Sequence, residues 1–400
     1  MSRLILTLLI LLLLTFNIQA QTSDSTIALN NSFRNTLYTA KFGVGQIGGY
    51  AQIDFNQPFG DNLKYNGTFD VHRLVLFVGH KFNDKLSFFS EIELEHVKEV
   101  YIEQAFLEYK ITPWMNLRSG LVLIPMGIVN EYHEPPTFNG VERPNLDKYI
   151  VPTTWREIGI GLAGNLTSSS MNYQLYLVNG PLGYNDGNAL FNGANGIRGG
   201  RQKGAKSKFS GNINLATKIN YYGLPGLTIG VSGYFGKSQS SLYDQLDLNN
   251  PDMLASADSS IVGIKMIGFD ARYDYHGFQA RSQVTYTKFN NTTAYNIYSD
   301  SDLGDKMFGY FIEMGYDVFS LSKSINEQLI VFGRFESYNT HQSTSSEISI
   351  NDEYNRTDIT VGLHFKPWSS TSFKADYQLL KNRATLTGIN QLNLGVGVWF

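Results

Sequence analysis

The sequence predicts an all-β protein: a transmembrane antiparallel β-barrel of about sixteen strands. Three observations lead there. Segments of roughly ten residues alternate apolar and polar side chains, the length and pattern of a tilted strand crossing a bilayer. The connections between them swing between short turns and long polar loops, the asymmetry of membrane barrels. The chain opens on an export signal, yet no later stretch approaches the roughly 20 apolar residues of a membrane helix. Without helices, only a closed sheet pairs every backbone group in lipid.

Residues 1–20 form the signal: Arg3 is the basic start, Leu4 to Phe16 the apolar run, and Ala20 a plausible cleavage point before Gln21. Residues 21–46 are polar and weakly patterned, a short periplasmic arm. The barrel takes up 47–400, with strands expected near 47–56, 68–80, 86–96, 100–110, 115–124, 157–166, 170–179, 208–220, 226–236, 261–275, 277–289, 307–318, 327–338, 356–366, 371–381 and 389–400. In 307–318, Phe308, Tyr310, Ile312, Met314 and Tyr316 share one face, while Gly309, Glu313 and Asp317 share the other. In 208–220, Ile213, Leu215 and Ile219 oppose Asn212, Asn214 and Lys218. This is apolar outside and polar inside, around a wet interior. Two of the short turns carry Pro-Trp, at Pro113-Trp114 and Pro367-Trp368, where an interfacial aromatic belt is expected. The last strand ends on Phe400, a terminal aromatic of the kind that serves bacterial outer-membrane barrels as an assembly signal, read by a barrel-assembly machinery.

Composition agrees. Charged residues make up 17% and aromatics 14%, against about 25% charged in ordinary globular domains. There is no Cys, so disulfides, thiolate metal sites and an N-terminal lipidated Cys are excluded. A net charge of −3 gives no support for a nucleic-acid partner. No metal and no cofactor is expected.

The longest proline-bearing connection spans 125–156, between LRSGLVLI and EIGIGLAGNL. It carries Pro125, Pro135, Pro136, Pro144 and Pro152 and cannot be regular structure throughout. Its aromatics and mixed charges argue for order. In a barrel, a loop of this length folds into the lumen and narrows it. Glu131, His133, Glu134, Glu142, Arg143, Lys148 and Arg156 are its candidate constriction residues. Arg73, Arg118, Arg272, Arg281 and Arg334 are candidate wall residues, with Lys218 and Lys374 on the same inferred face. Acids Glu91, Glu93, Glu95, Glu108, Asp270, Asp274, Glu313, Glu336 and Asp376 share that face. Glu131, Glu134 and Glu142 on the loop are expected to oppose Arg118, Arg281 and Arg334 on the wall, a crossed field across a narrow opening.

The segments VYIEQAFLEYKITPWMNLRSGLVLIPMG, EPPTFNGVERP and IVPTTWREIGIGLAG resemble the corresponding region of the phosphate-selective porin O and P family of Bacteroidetes-type bacteria. The likeness is strongest across residues 65–180. It implies a sixteen-stranded outer-membrane porin with its third external loop folded inward. It also implies a homotrimer, set among outer-membrane lipid and lipopolysaccharide, through which small hydrophilic solutes diffuse passively, anions such as phosphate among them. The family's arginine ladder and lysine cluster do not transfer: bases and acids nearly balance on the inferred lumen face and no dense lysine run is present. Modest selectivity is therefore expected, leaning to anions by resemblance alone.

Two other classes fit the sequence less well. A non-conducting barrel for adhesion or anchoring would need more material to plug it than one long loop and a short arm. A barrel enzyme needs a nucleophile, a base and an orienting group together. The His residues are scattered, and His133, between Glu131 and Glu134, reads better as a hydrogen-bonding residue on a solvated loop. No catalytic residue is expected. The EIELEHVKE run at 91–99 reads as a wet wall rather than a cation site. KGAKSK at 203–208 reads as a solvated or lipopolysaccharide-facing patch. GIRGGRQKG at 196–204 is not a phosphate loop, because no helix pattern follows it.

Overall fold

The computed structural model describes residues 45–60, 64–322, 324–385 and 388–400. The export signal and nearly all of the expected arm lie outside the described residues. Sixteen strands close into one antiparallel barrel, each pairing with its neighbours in sequence. They are β1 Gly45–Phe59, β2 Thr68–Lys81, β3 Leu86–Glu95, β4 Glu99–Thr112, β5 Met115–Leu123, β6 Arg156–Leu166, β7 Met171–Val178 and β8 Asn214–Leu224. Then come β9 Leu227–Lys237, β10 Gly263–Tyr275, β11 Phe278–Asn290, β12 Lys306–Asp317, β13 Gln328–Ser343, β14 Asn355–Lys366, β15 Thr371–Asn382 and β16 Ile389–Trp399. The ring closes where β1 meets β16, in a register that sets Tyr50 against Trp399 and Phe59 against Asn390.

The alternation sorts side chains as the pleat requires. Along β12, Ile312 and Met314 are exposed on the outside and Phe311 and Glu313 are buried within. On β8, Asn214 and Lys218 point inward and Ile219 outward. No helix among the described residues is long and apolar enough to cross a membrane.

The interior departs from a uniformly wet lumen. On β2 the outward Leu74 is flanked by inward Val75 and Phe77, so both faces are apolar and the run RLVLFV hides its period. Phe77, Phe89 and Phe106 form an inward aromatic row, with centroids 6.0 and 5.5 Å apart, and Tyr50 stacks on Trp399 at 6.2 Å. Together with Ile124, Met126, Leu146, Ile150, Val151 and Trp155 from the long connection, they make a hydrophobic core inside the barrel.

One end of the barrel carries the tight turns and the other the loops. At the loop end the connection between β3 and β4 is only residues 96–98, and its tightness puts His96 and Val97 at φ 52° and 67°. Residues 208–213, expected in a strand, belong to a loop: Ser210 N donates to Gln239 Oε1 (2.8 Å) and Asn212 Nδ2 to Ser238 O (3.0 Å). Two connections expected as long polar loops hold helices, Pro251–Ser259 and Thr292–Ser299. The first bears a recognisable start in its sequence: Asn250 caps the amides of Asp252 and Met253, and Pro251 stands at the first helical position.

Candidate functional site: the lumen and its inward loop

The connection over residues 124–155 (L3) lies inside the barrel, its side chains mostly buried. Its neck is clasped by one residue. Asn130 Nδ2 donates to the carbonyls of Ile124 (2.7 Å) and Trp155 (2.9 Å), and its Oδ1 accepts from Trp155 N (2.8 Å). From there the wall holds L3 on many sides. Lys218 on β8 donates to Gly127 O (2.5 Å) and Glu131 Oε2 (3.0 Å). Gln283 on β11 accepts from Ile128 N (2.7 Å) and donates to Asp147 (2.9 Å). Glu336 on β13 accepts from Leu146 N (3.0 Å), and Asp376 on β15 from Val141 N (2.6 Å). Lys374 on β15 donates to Gly140 O (2.8 Å) beneath the Phe138 ring. Asn139 bridges Glu313 (3.0 Å) and His364 (3.1 Å). A loop whose amides and carbonyls are satisfied by wall side chains is part of the fold, as buried backbone groups require.

Each expected constriction residue has a definite place. Glu131 pairs with Lys218. His133 is buried, not solvated as expected, with Nε2 2.9 Å from Glu103 Oε2. Glu134 is buried beside it. Glu142 Oε1 accepts from Asn56 (2.9 Å), and its carbonyl accepts from Arg334 (3.2 Å). Arg143 donates to His133 O (3.2 Å). Lys148 sits 5.2 Å over the Tyr149 ring and Arg156 5.6 Å over Tyr101.

On the wall, Arg73 meets Glu93 (3.2 Å), Arg118 meets Glu108 (2.5 Å) and the Tyr176 hydroxyl (2.9 Å), and Arg334 meets Glu313 (3.4 Å) and Glu336 (3.0 Å). Arg281 stands opposite Glu313 across the ladder, and Arg272 lies 4.5 Å over the Tyr132 ring. The carboxylates facing Arg73, Arg118, Arg281 and Arg334 thus come from their own or neighbouring strands rather than from L3. The loop acids bind other groups.

Two spaces flank L3. Toward the turns is a recess of about 20 Å³ lined by Tyr132, Arg272, Asp274, Gln279 and Arg281, room for about one water. Toward the loops is a polar vestibule of about 420 Å³. Its bases are Arg73, Arg143 and Lys148, joined by Arg198, Arg201 and Lys203 from the connection over 179–213; its acids are Glu95, Glu99 and Glu142. Several of these bases have neutral partners, which leave the charge uncompensated. Arg201 donates to the carbonyls of Thr153 and Arg198, and Lys203 lies 4.3 Å over Tyr101. Burial, with Arg198 and Arg156 nearby, lowers Arg201 to about 10. Burial and then Arg201 and Arg156 depress Lys203 as well. An anion entering the vestibule would relieve that crowding.

Arg198, Arg201 and Lys203 come from the segments GIRGGRQKG and KGAKSK. Neither segment reads as lumen from its sequence, because nothing local says that an external connection bends back over the opening. The clustering of bases was the available signal.

No family model matches the chain. An uncharacterized protein of Aquifex aeolicus (strain VF5) is 31% identical over 359 residues, covering 85% of this chain and 76% of that protein. The chain belongs to the same family as this Aquifex protein. Among solved structures, the outer-membrane channel DcaP of Acinetobacter baumannii superposes with a TM-score of 0.58 at 11% identity, covering 89% of this chain and 97% of that one. An anion-selective porin from Comamonas acidovorans gives 0.55 at 11% identity, covering 89% and 99%. At these identities the likeness is one of fold: the sixteen-stranded porin barrel.

Proposed function

We propose that this protein is an outer-membrane porin, exported and inserted as a monomeric barrel that assembles into a homotrimer, and that it passes small hydrophilic solutes by diffusion with a preference for anions. The carrying observation is the vestibule, where Arg143, Lys148, Arg198, Arg201 and Lys203 outnumber the acids, and Arg143, Lys148, Arg201 and Lys203 lean on carbonyls and rings. Rings of uncompensated charge select ions by sign, and the chain's overall charge of −3 shows that this positive field is local. The resemblance to the phosphate-selective O and P family and the anion selectivity named for the Comamonas structure are consistent with it. Inorganic phosphate is the first anion to try. No catalytic role is proposed.

Planar-bilayer recording tests this. The purified protein should conduct, and in a KCl gradient its zero-current potential should lie on the anion side. Changing Arg143, Arg198 and Arg201 to Gln should move it toward cations, more at 0.1 M than at 1 M salt, where the Debye length shrinks from about 10 Å to about 3 Å. Shortening 131–142 should raise single-channel conductance. Conduction without any shift removes the anion preference and leaves the porin. Absence of conduction favours the second reading, a non-conducting barrel for adhesion or anchoring, for which the dense ties around L3 and the water-sized recess speak.

A further inference from the structure

Where L3 meets β3 and β4, a cluster of side chains is arranged in a way that the diffusion of solutes does not use. Glu91 of β3, Glu103 of β4 and His133 of L3 are each at most 1% exposed. Their ligand atoms all lie within 4.8 Å of one another. His133 Nε2 is 2.9 Å from Glu103 Oε2 and 3.5 Å from Glu91 Oε1. Ligands bound at about 2.0–2.1 Å to a tetrahedral ion stand about 3.3 Å apart, between those two distances.

The surroundings orient the three donors. His133 Nδ1 donates to Asn130 O (3.3 Å), which fixes the ring with Nε2 turned toward the two carboxylates. Asn130 is the clasp of the loop neck, so the imidazole is fixed by the same residue that fixes L3. Gln104 Nε2 donates to Glu91 Oε2 (2.7 Å), holding that carboxylate from behind and leaving Oε1 toward the histidine. Among the described residues, the buried Oε1 atoms of Glu91 and Glu103 accept no hydrogen bond, nor does Oε2 of Glu134, the next residue along.

Two buried carboxylates converging on one ring nitrogen need positive charge between them, either a proton on Nε2 or a cation in its place. One proton on Nε2 serves the closer carboxylate and leaves the other facing it at 3.5 Å. Of the guanidinium groups beside the cluster, Arg73 is engaged with Glu93 at 3.2 Å and Arg143 with the His133 carbonyl at 3.2 Å. A divalent cation meets all three donors at once. We propose that Glu91, Glu103 and His133 form a binding site for a first-row divalent cation of the Zn²⁺ or Co²⁺ class, which ties L3 to the β3–β4 wall. Nitrogen from imidazole with oxygen from carboxylates is the donor set such ions take, and Ca²⁺ or Mg²⁺ would prefer oxygen alone. The site is separate from the vestibule, and its occupancy does not depend on which solute the channel prefers.

The test uses the full barrel in detergent, stripped with chelator while unfolded, refolded with Co²⁺ and desalted. The expected result is one Co²⁺ per chain with visible d–d absorption, displaced by Zn²⁺. Changing His133 to Gln or Glu103 to Gln should abolish the absorption. Changing Gln104 to Ala, which only positions Glu91, should weaken Co²⁺ binding by about 10-fold or more while keeping the spectrum. Heat-modifiability confirms that each protein has folded. If refolded wild type retains Co²⁺, Zn²⁺ and Mn²⁺ only at background, the cluster is an ion-paired pin and the proposal is overturned. It is equally overturned if His133→Gln keeps stoichiometric Co²⁺ with an unchanged spectrum. Should the ligand variants fail to fold, the wild-type stoichiometry and the Gln104 variant still decide.

Discussion

Lys218 ties the barrel wall to L3 through a single buried ammonium. Its ammonium is buried and meets Glu131 at 3.0 Å, Asp270 at 3.4 Å and the Gly127 carbonyl. Removing one partner of a buried ion pair leaves the others desolvated and unpaired, at a cost of about 3–5 kcal/mol. Changing Lys218 to Met should therefore lower the stability of the refolded barrel in urea by that amount, and should expose L3 to protease first. A change under about 1 kcal/mol, the scale of one neutral hydrogen bond, would contradict this account. The inward position of Lys218 was legible in the alternation of β8, Asn214 and Lys218 against Leu215 and Ile219. Its partners were not, because two of them lie on L3, 87 and 91 residues away in sequence. The same limit applied to His133. Its flanking Glu131 and Glu134 suggested a polar loop, while the acids that meet it, Glu91 and Glu103, belong to strands whose facing became known only with the loop in place.

At the scale of the element, L3 owes its seat to what the wall lacks. A Cβ added at Gly397 of β16 would stand 2.5 Å from Pro135 Cβ, and one at Gly309 of β12 would stand 2.5 Å from Leu146 Cδ1. Both glycines face inward, and their missing side chains are the space that the loop's apolar residues occupy. Changing Gly397 to Leu should overpack this contact by about 1–3 kcal/mol. The barrel should still form, but limited proteolysis should cut within 131–142 faster than in wild type. Unchanged resistance would mean that the contact with β16 does not position the loop. That 125–156 is an ordered insertion could be read from its prolines and aromatics. Its burial among glycines could not, since a glycine on an alternating strand looks the same whether it faces water, lipid or another segment. The helix Pro251–Ser259 is a different case, because its Asn-Pro start stands in the sequence itself, inside a connection read only as a long polar loop.

At the scale of the whole molecule, the number of strands and the antiparallel order were legible because alternation and turn rhythm repeat along the entire chain. The filling of the lumen was not, because it is built from contacts among segments far apart. Closure is the step that turns sixteen strands into a barrel, and it depends on the two ends of the described chain. Phe400 N donates to Gly49 O (2.9 Å) and Gly49 N donates to Phe400 O (2.8 Å), extending the β1–β16 ladder to the last residue. The Phe400 ring is 57% exposed on the outer surface, and it reaches within 3.0 Å of where a Gly49 Cβ would be. Gly49 thus lets the terminal ring lie flat on the seam. Deleting Phe400 removes both backbone bonds and the ring together, leaving the edges of β1 and β16 unpaired at that point, where an unpaired group in lipid costs several kcal/mol. Changing Phe400 to Asp keeps the backbone bonds and places a charge on the lipid face instead. Both variants should be exported at normal levels but give much less heat-modifiable barrel in the outer membrane, and Phe400→Tyr, which keeps an interfacial aromatic, should give nearly the wild-type amount. Separating the two losses identifies the cause. If deletion is harmful while Asp is tolerated, the seam's hydrogen bonds govern closure; if both are harmful, the outward aromatic is required as well. Wild-type amounts of barrel from the deletion would show that closure is complete without its last residue.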